Sequence, residues 1–222
     1  MRWLLLAAVS IGAAGIWGMH FIAMLGFTIP GETISYNVPV TILSLLVAVG
    51  IVLAGLVIVG FDQIGWGSLL AGGVITGLGV AVMHYLGMAA MRMPGQITYN
   101  PGLMVMSVLI AIVAATAALW AALTLRGVLA TLGAAAIMGV AVSGMHYTGM
   151  AAMRMFPAAA PSGMVMGGGG GAAAGSFLVP LIIGIAIVSV VLTAAVALSP
   201  TEEEIRGEAE LMDRLGKARS EA

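Results

Sequence analysis

"GMHYTGMAAMRM" at residues 144–155 closely copies "VMHYLGMAAMRM" at 82–93, and a looser copy, "GMHFIAMLGF", stands at 18–27. The chain has three histidines, His20, His84 and His146, and each copy holds one. They are 64 and 62 residues apart. The connecting segments repeat too: "PGETISYN" (30–37) matches "PGQITYN" (94–100), and "PGLMVM" (101–106) is echoed by "PSGMVM" (161–166). Each unit therefore reads as a helix ending in the histidine phrase, a short loop and a return helix. Self-similarity at a fixed period predicts three related hairpins in one bundle.

Composition says which solvent that bundle meets. The chain of 222 residues is 61% hydrophobic and 8% charged, with a mean hydropathy of +1.15. Soluble domains carry roughly 25% charged residues, so the expectation is an all-α membrane protein. Six apolar runs, at about 4–27, 39–60, 68–91, 103–125, 128–153 and 177–198, each approach the roughly 20 residues of a spanning helix. The three repeats are then about 4–60, 68–125 and 128–198. Residues 1–198 form the transmembrane domain, a bundle of six transmembrane helices built from three repeated helical hairpins.

Seven of the nine acidic residues follow Pro200, leaving Glu32 and Asp62 in the apolar body. No basic stripe suits nucleic acid. The absence of cysteine excludes disulfides, thiolate metal sites and covalently attached haem. Nothing before His20 resembles a cleaved signal peptide.

Each repeat has two spans, so all three histidine phrases approach one face of the membrane. With a cytoplasmic amino terminus, Arg2, Arg126, Arg206, Arg214, Lys217 and Arg219 lie inside, and Arg92 and Arg154 outside. Positive charge favours that orientation, with both termini cytoplasmic and the histidines near the outer leaflet.

Residues four apart share a helix face. His20 and Met24, His84 and Met88, and His146 and Met150 are so spaced, and Met91 and Met153 extend the second and third rows. Seven residues before the histidines stand Ala13, Gly77 and Gly139, with Ala23, Gly87 and Gly149 beside the stripe. Small residues let helices approach closely in lipid, which marks the stripe as the inward face. Imidazole with thioether is a soft donor set suited to copper, especially Cu(I). Zinc recruits thiolates, several imidazoles or a carboxylate, and the body is poor in carboxylates. Fourteen of the seventeen methionines fall in 18–28, 82–106 and 144–166, about a quarter of the chain.

The expected metal ligands are thus His20, Met24, His84, Met88, Met91, His146, Met150 and Met153, with Met19, Met83, Tyr85, Met145 and Tyr147 auxiliary. The first row ends in Phe27 and has Phe21 where the others have tyrosine. Repeats two and three are therefore expected to form the main site, with His20 subordinate. Tyr85 and Tyr147 point about 100° from the row. They orient a ligand, hydrogen-bond across helices or sit in the interfacial belt. Arg92 and Arg154 snorkel to headgroups. Met104, Met106, Met164 and Met166 collect metal at an entrance or start the return helices. As alternatives, a His/Met or His/His pair is also an axial set for b-type haem, and a methionine row also suits a copper carrier or channel. Methionine is in addition a common filler of apolar cores.

Met-His-Tyr repeated through such a bundle resembles the MHYT domain, a bacterial integral membrane sensor. "MHYTGM" at 145–150 matches the motif fully, "MHYLGM" at 83–88 departs at Leu86, and "MHFIAM" at 19–24 departs at Phe21 and Ile22. The likeness covers about 2–198. It implies a signalling protein of the bacterial cytoplasmic (inner) membrane whose Met, His and Tyr residues bind copper and, through it, oxygen, CO or NO.

Two departures stand out. Family members usually have one further span ahead of the first motif helix, whereas this chain begins in that helix. Members also often carry a cytoplasmic diguanylate cyclase or cyclic-di-GMP phosphodiesterase, whereas 24 residues follow the last apolar run here. The expectation is therefore a sensor without intrinsic catalysis. Its tail at 199–222 reads as a short cytoplasmic helix: Ser199 and Glu202 have capping-box spacing, and Glu202–Arg206, Glu210–Arg214 and Asp213–Lys217 are four-apart pairs. It is a solvated tail or a handle for a separate cytoplasmic signalling protein.

Overall fold

In lipid every backbone N–H and C=O must be paired within the spanning segment, so long apolar runs become helices. The computed structural model describes residues 2–28, 34–61, 65–93, 96–156 and 172–198, with isolated positions 206, 207 and 212. Among these, six helices are long and apolar enough to cross a membrane: Trp3–Leu25, Val38–Gly60, Trp66–Ala90, Pro101–Thr124, Val128–Ala152 and Leu178–Ala195. The protein is a multi-pass membrane protein. Apolar side chains exposed on the helices, such as Val113, Leu129, Ile137 and Val140, suit contact with acyl chains. The chain divides into two compact units, Met1–Ala186 and Ile187–Ala222. The second holds the end of the last helix, and the expected tail helix lies outside the described residues except at Arg206, Gly207 and Met212. Glu32, Asp62, Met164 and Met166 also lie outside them.

The first span is composite: α1 (Arg2–Ala8), a π-helical segment (Val9–Trp17) and α2 (Gly18–Leu25). There follow α3 (Val38–Phe61), α4 (Trp66–Ala90), α5 (Pro101–Thr124), α6 (Val128–Ala152) and α7 (Ala174–Ala197). The π segment has a reason in the packing. A Cβ on Gly12 would meet the Ala48 carbonyl oxygen of α3 at 2.7 Å, and one on Gly77 would meet the Ala111 carbonyl oxygen of α5 at 2.8 Å. Both are backbone-to-backbone crossings of a histidine helix on its return helix. Gly12 precedes His20 by eight residues, whereas Gly77 precedes His84 by seven. A π-helical stretch holds more residues per turn than an α-helix. It absorbs the extra residue, so that both crossings and both histidines stay in register.

Short strands join the repeats: β1 (Ser35–Tyr36), β2 (Met91–Arg92), β3 (Gln96–Tyr99), β4 (Met153–Phe156) and β5 (Ala172–Ala173). All pairs are antiparallel. Tyr36 faces Met91 and Ala172 across β2–β1–β5, and Tyr99 faces Met153 across β3–β4. The repeated "YN" dipeptide explains the join. Asn100 caps α5, its Oδ1 accepting from the backbone N–H of Gly102 and Leu103 at 2.9 and 3.2 Å, with Pro101 at the favoured first position. Asn37 accepts likewise from Val40 at 3.3 Å. The backbone N–H of Asn37 donates to the Ala90 carbonyl at 2.8 Å, and that of Asn100 to the Ala152 carbonyl at 2.7 Å. Each return helix is thereby tied to the end of the next repeat's histidine helix.

This tie corrects one expectation. The helices end at Ala90 and Ala152, and Met91 and Met153 are extended, with ψ of 129° and 131°. The helical row therefore stops at Met88 and Met150, because strand pairing across repeats takes the next residue. The small-residue stripe is also uneven: Ala13 and Gly77 are buried, whereas Gly139 is exposed. Arg92 and Arg154 lie on β2 and β4, with exposed side chains.

Candidate metal centre

Each histidine sits five or six residues before the end of its helix. All three are buried, His20 and His84 at 0% and His146 at 1% exposure. Nδ1 of His20 lies 3.0 Å from Nδ1 of His146 and 3.1 Å from Nδ1 of His84. The rings meet edge to face, with centroids 4.9, 4.9 and 5.1 Å apart. Among the described residues this is the one group of three or more histidine, cysteine, aspartate or glutamate side chains whose ligand atoms converge, all within 4.8 Å.

The donor geometry fits a cation. Neutral imidazole carries either a proton or a lone pair at Nδ1 according to its tautomer, and with Nδ1 unprotonated on all three rings the lone pairs are left to a shared cation. Metal–imidazole bonds of about 2.0 Å in tetrahedral array set nitrogens roughly 3.3 Å apart, close to the two short Nδ1 distances, with all three ligand atoms within 4.8 Å of one another. A macrocycle does not fit in the same way, because edge-to-face rings in contact leave no slot between them for a haem plane.

His20 is the vertex common to both short distances, so its expected subordinate rank is not what the geometry shows. Met24, Met83, Met88, Met91 and Met145 are buried in the apolar core with Trp17, Phe21 and Tyr36, and Met150 and Met153 pack on it half-buried. Met19 and Met145 line an apolar cavity of about 800 Å³. Tyr147 is 61% exposed, with its ring 5.1 Å from that of His146.

Tyr85 hydrogen-bonds across helices. Ser107 of α5 donates to the Met104 carbonyl at 2.8 Å, so Tyr85 is the donor in its 2.7 Å contact with Ser107 Oγ. Repeat one solves the same problem differently. Phe21 replaces the tyrosine, and Trp17 Nε1 donates to Ser44 Oγ at 3.0 Å while Ser44 donates to Thr41 at 2.7 Å. Trp17, Ser44, Ser107 and the two capping asparagines are not among the expected site residues; for the asparagines the repeated "YN" is the visible signal. On the strands above, burial pushes the Tyr36 hydroxyl up to about 12, and burial and then Tyr85 raise Tyr99.

The repeat described as "MHYT: Bacterial signalling protein N terminal repeat" matches residues 14–72 and 77–135. The chain is 39% identical over 211 residues to the bifunctional diguanylate cyclase/cyclic di-GMP phosphodiesterase MucR of Pseudomonas aeruginosa, covering 93% of this chain and 30% of that protein. It is 40% identical over 166 residues to the cyclic di-GMP phosphodiesterase NbdA of the same organism, covering 72% of this chain and 21% of the relative. The signaling protein YkoW of Bacillus subtilis is 32% identical over 182 residues, which cover 74% of this chain and 21% of that protein. No solved structure matches the chain.

The chain thus spans less than a third of the length of these relatives. The expectation of a protein without intrinsic catalysis is overturned by them: two that carry this membrane segment are named as enzymes of cyclic di-GMP turnover.

Proposed function

The chain belongs to the MHYT family of bacterial signalling proteins, and from that premise we propose that its six-helix body is a copper-dependent sensor of oxygen, CO or NO. It sits in the cytoplasmic (inner) membrane with both termini in the cytoplasm and the histidines toward the outer leaflet. The observation that carries the reading is the convergence of three buried imidazoles on one point. Imidazole suits several transition metals, and thioethers select Cu(I). Met24 and Met88, four positions after His20 and His84, are buried in the same core, and no cysteine competes. Copper held there by His20, His84 and His146 would supply the chemistry for binding a diatomic molecule; the chain's own part is to hold three donors and exclude water.

The output in this reading is cytoplasmic cyclic di-GMP turnover, the activity for which two of the relatives are named, either in the same polypeptide or in a separate signalling protein. Metal analysis and an absorption spectrum of detergent-purified protein test it. Expected are about equimolar copper, no Soret band, and a spectrum that changes on adding NO or CO. A Soret band, or protein free of copper after growth in copper-supplemented medium, overturns it.

A further inference from the structure

The outer edges of the imidazoles carry a relation that the donor set alone does not require. Nε2 of His20 and Nε2 of His84 are buried without a hydrogen-bond partner. Metal-bound imidazoles nearly always give their second N–H to a carboxylate, carbonyl or water, yet here each second nitrogen abuts a glycine. A Cβ on Gly87 would collide with Nε2 of His20 and lie 3.0 Å from its Cδ2. A Cβ on Gly149 would collide with Nε2 of His84 and lie 3.0 Å from its Cδ2. Both glycines stand three residues after the histidine of their own helix. The relation runs in sequence from repeat one to two and from two to three: the ring of one repeat rests on the bare backbone of the next, one turn from the next ring. Repeat one has Ala23 at the matching position.

We infer that Gly87 and Gly149 are positioning residues of the histidine cluster, seating the imidazoles of His20 and His84 so that Nδ1 faces inward and any ring displacement presses on the next helix. The ring has nowhere to retreat. An added methyl requires it to move by roughly an ångström to regain ordinary contact, and on its far side the Nδ1 atoms are already 3.0 and 3.1 Å apart. Ring position and helix spacing thus become one variable, a physical link from the cluster through α4 to α6. The inference deepens the proposed sensor and rests on the cluster being its site.

Glycine-to-alanine exchange in the full chain tests it, with Gly144→Ala as the control, since a Cβ there on the same α6 meets nothing within 4 Å. Gly87→Ala and Gly149→Ala are expected to weaken copper binding at least tenfold and to alter the Cu(II) paramagnetic resonance spectrum, while Gly144→Ala does neither. Thermal stability of the metal-free protein gives a second readout. Gly149→Ala should lower it in the native background and leave it unchanged in a His84→Ala background, where the methyl meets no ring. The inference is overturned if Gly149→Ala keeps native spectrum and stability, or if its stability loss is the same with and without His84. A wild-type chain that binds no copper defeats the sensor reading, while the stability cycle still decides the contact.

Discussion

Replacing His20 by alanine separates geometry from donor counting. The motif phrase of repeat one is the poorest in donors, yet Nδ1 of His20 makes both short contacts in the cluster. Its side chain is wholly buried, so truncation leaves a hole of roughly 60 Å³, worth about 1.5 kcal/mol at about 24 cal/mol per Å³. Relief of the crowded nitrogens works the other way, so the metal-free protein should lose no more than about 2 kcal/mol and remain folded. Copper binding should suffer far more. Loss of one of three imidazoles is expected to cost at least about a hundredfold, or about 2.7 kcal/mol, and as much as for His84→Ala. Competition titration against a chelator of known affinity, on folded protein in detergent, measures it. Native affinity in His20→Ala, with loss in His84→Ala and His146→Ala, would refute the three-imidazole reasoning and restore His20 to a supporting role.

Tyr85→Phe copies repeat one and removes a donor from Ser107, which keeps its own bond to Met104. Melting in detergent should report a loss of about 0.6 kcal/mol with copper affinity unchanged, and a tenfold drop in affinity would make Tyr85 part of the site. Asn100→Ala strips the cap from α5 and should cost about 1 kcal/mol, with Asn100→Asp recovering most of it; equal melting of all three proteins would discount the cap. Tyr36, with its hydroxyl raised to about 12, binds its proton more tightly folded than unfolded. Its contribution is therefore complete below about pH 10 and lost as pH rises toward about 12. In an ultraviolet tyrosinate titration Tyr36→Phe should delete a late-ionising group, and an unchanged late phase would contradict its burial.

Much of this was legible in the residues. The histidine phrases announced the three units, and the apolar runs announced helices, because the lipid constraint makes length and composition nearly sufficient. The convergence of the histidines followed from their even two-span spacing. What failed to show was set by contacts between repeats. Met91 and Met153 belong to a helical pattern by spacing, but pairing with Tyr36 and Tyr99 draws them into strands. The small residues beside the histidine row predicted close helix approach, yet nothing in one phrase shows that Gly87 receives His20 rather than a residue of its own repeat. Donor content ranked His20 last, since a sequence counts donor atoms and does not show which of them meet.

X-ray absorption at the copper edge of the purified, copper-loaded chain counts imidazoles at the metal itself. Expected is a first shell containing nitrogen at about 2.0 Å with the outer-shell scattering of three imidazole rings, reduced to two in each single histidine variant. A sulfur-only first shell, or imidazole scattering that survives replacement of all three histidines, would contradict it.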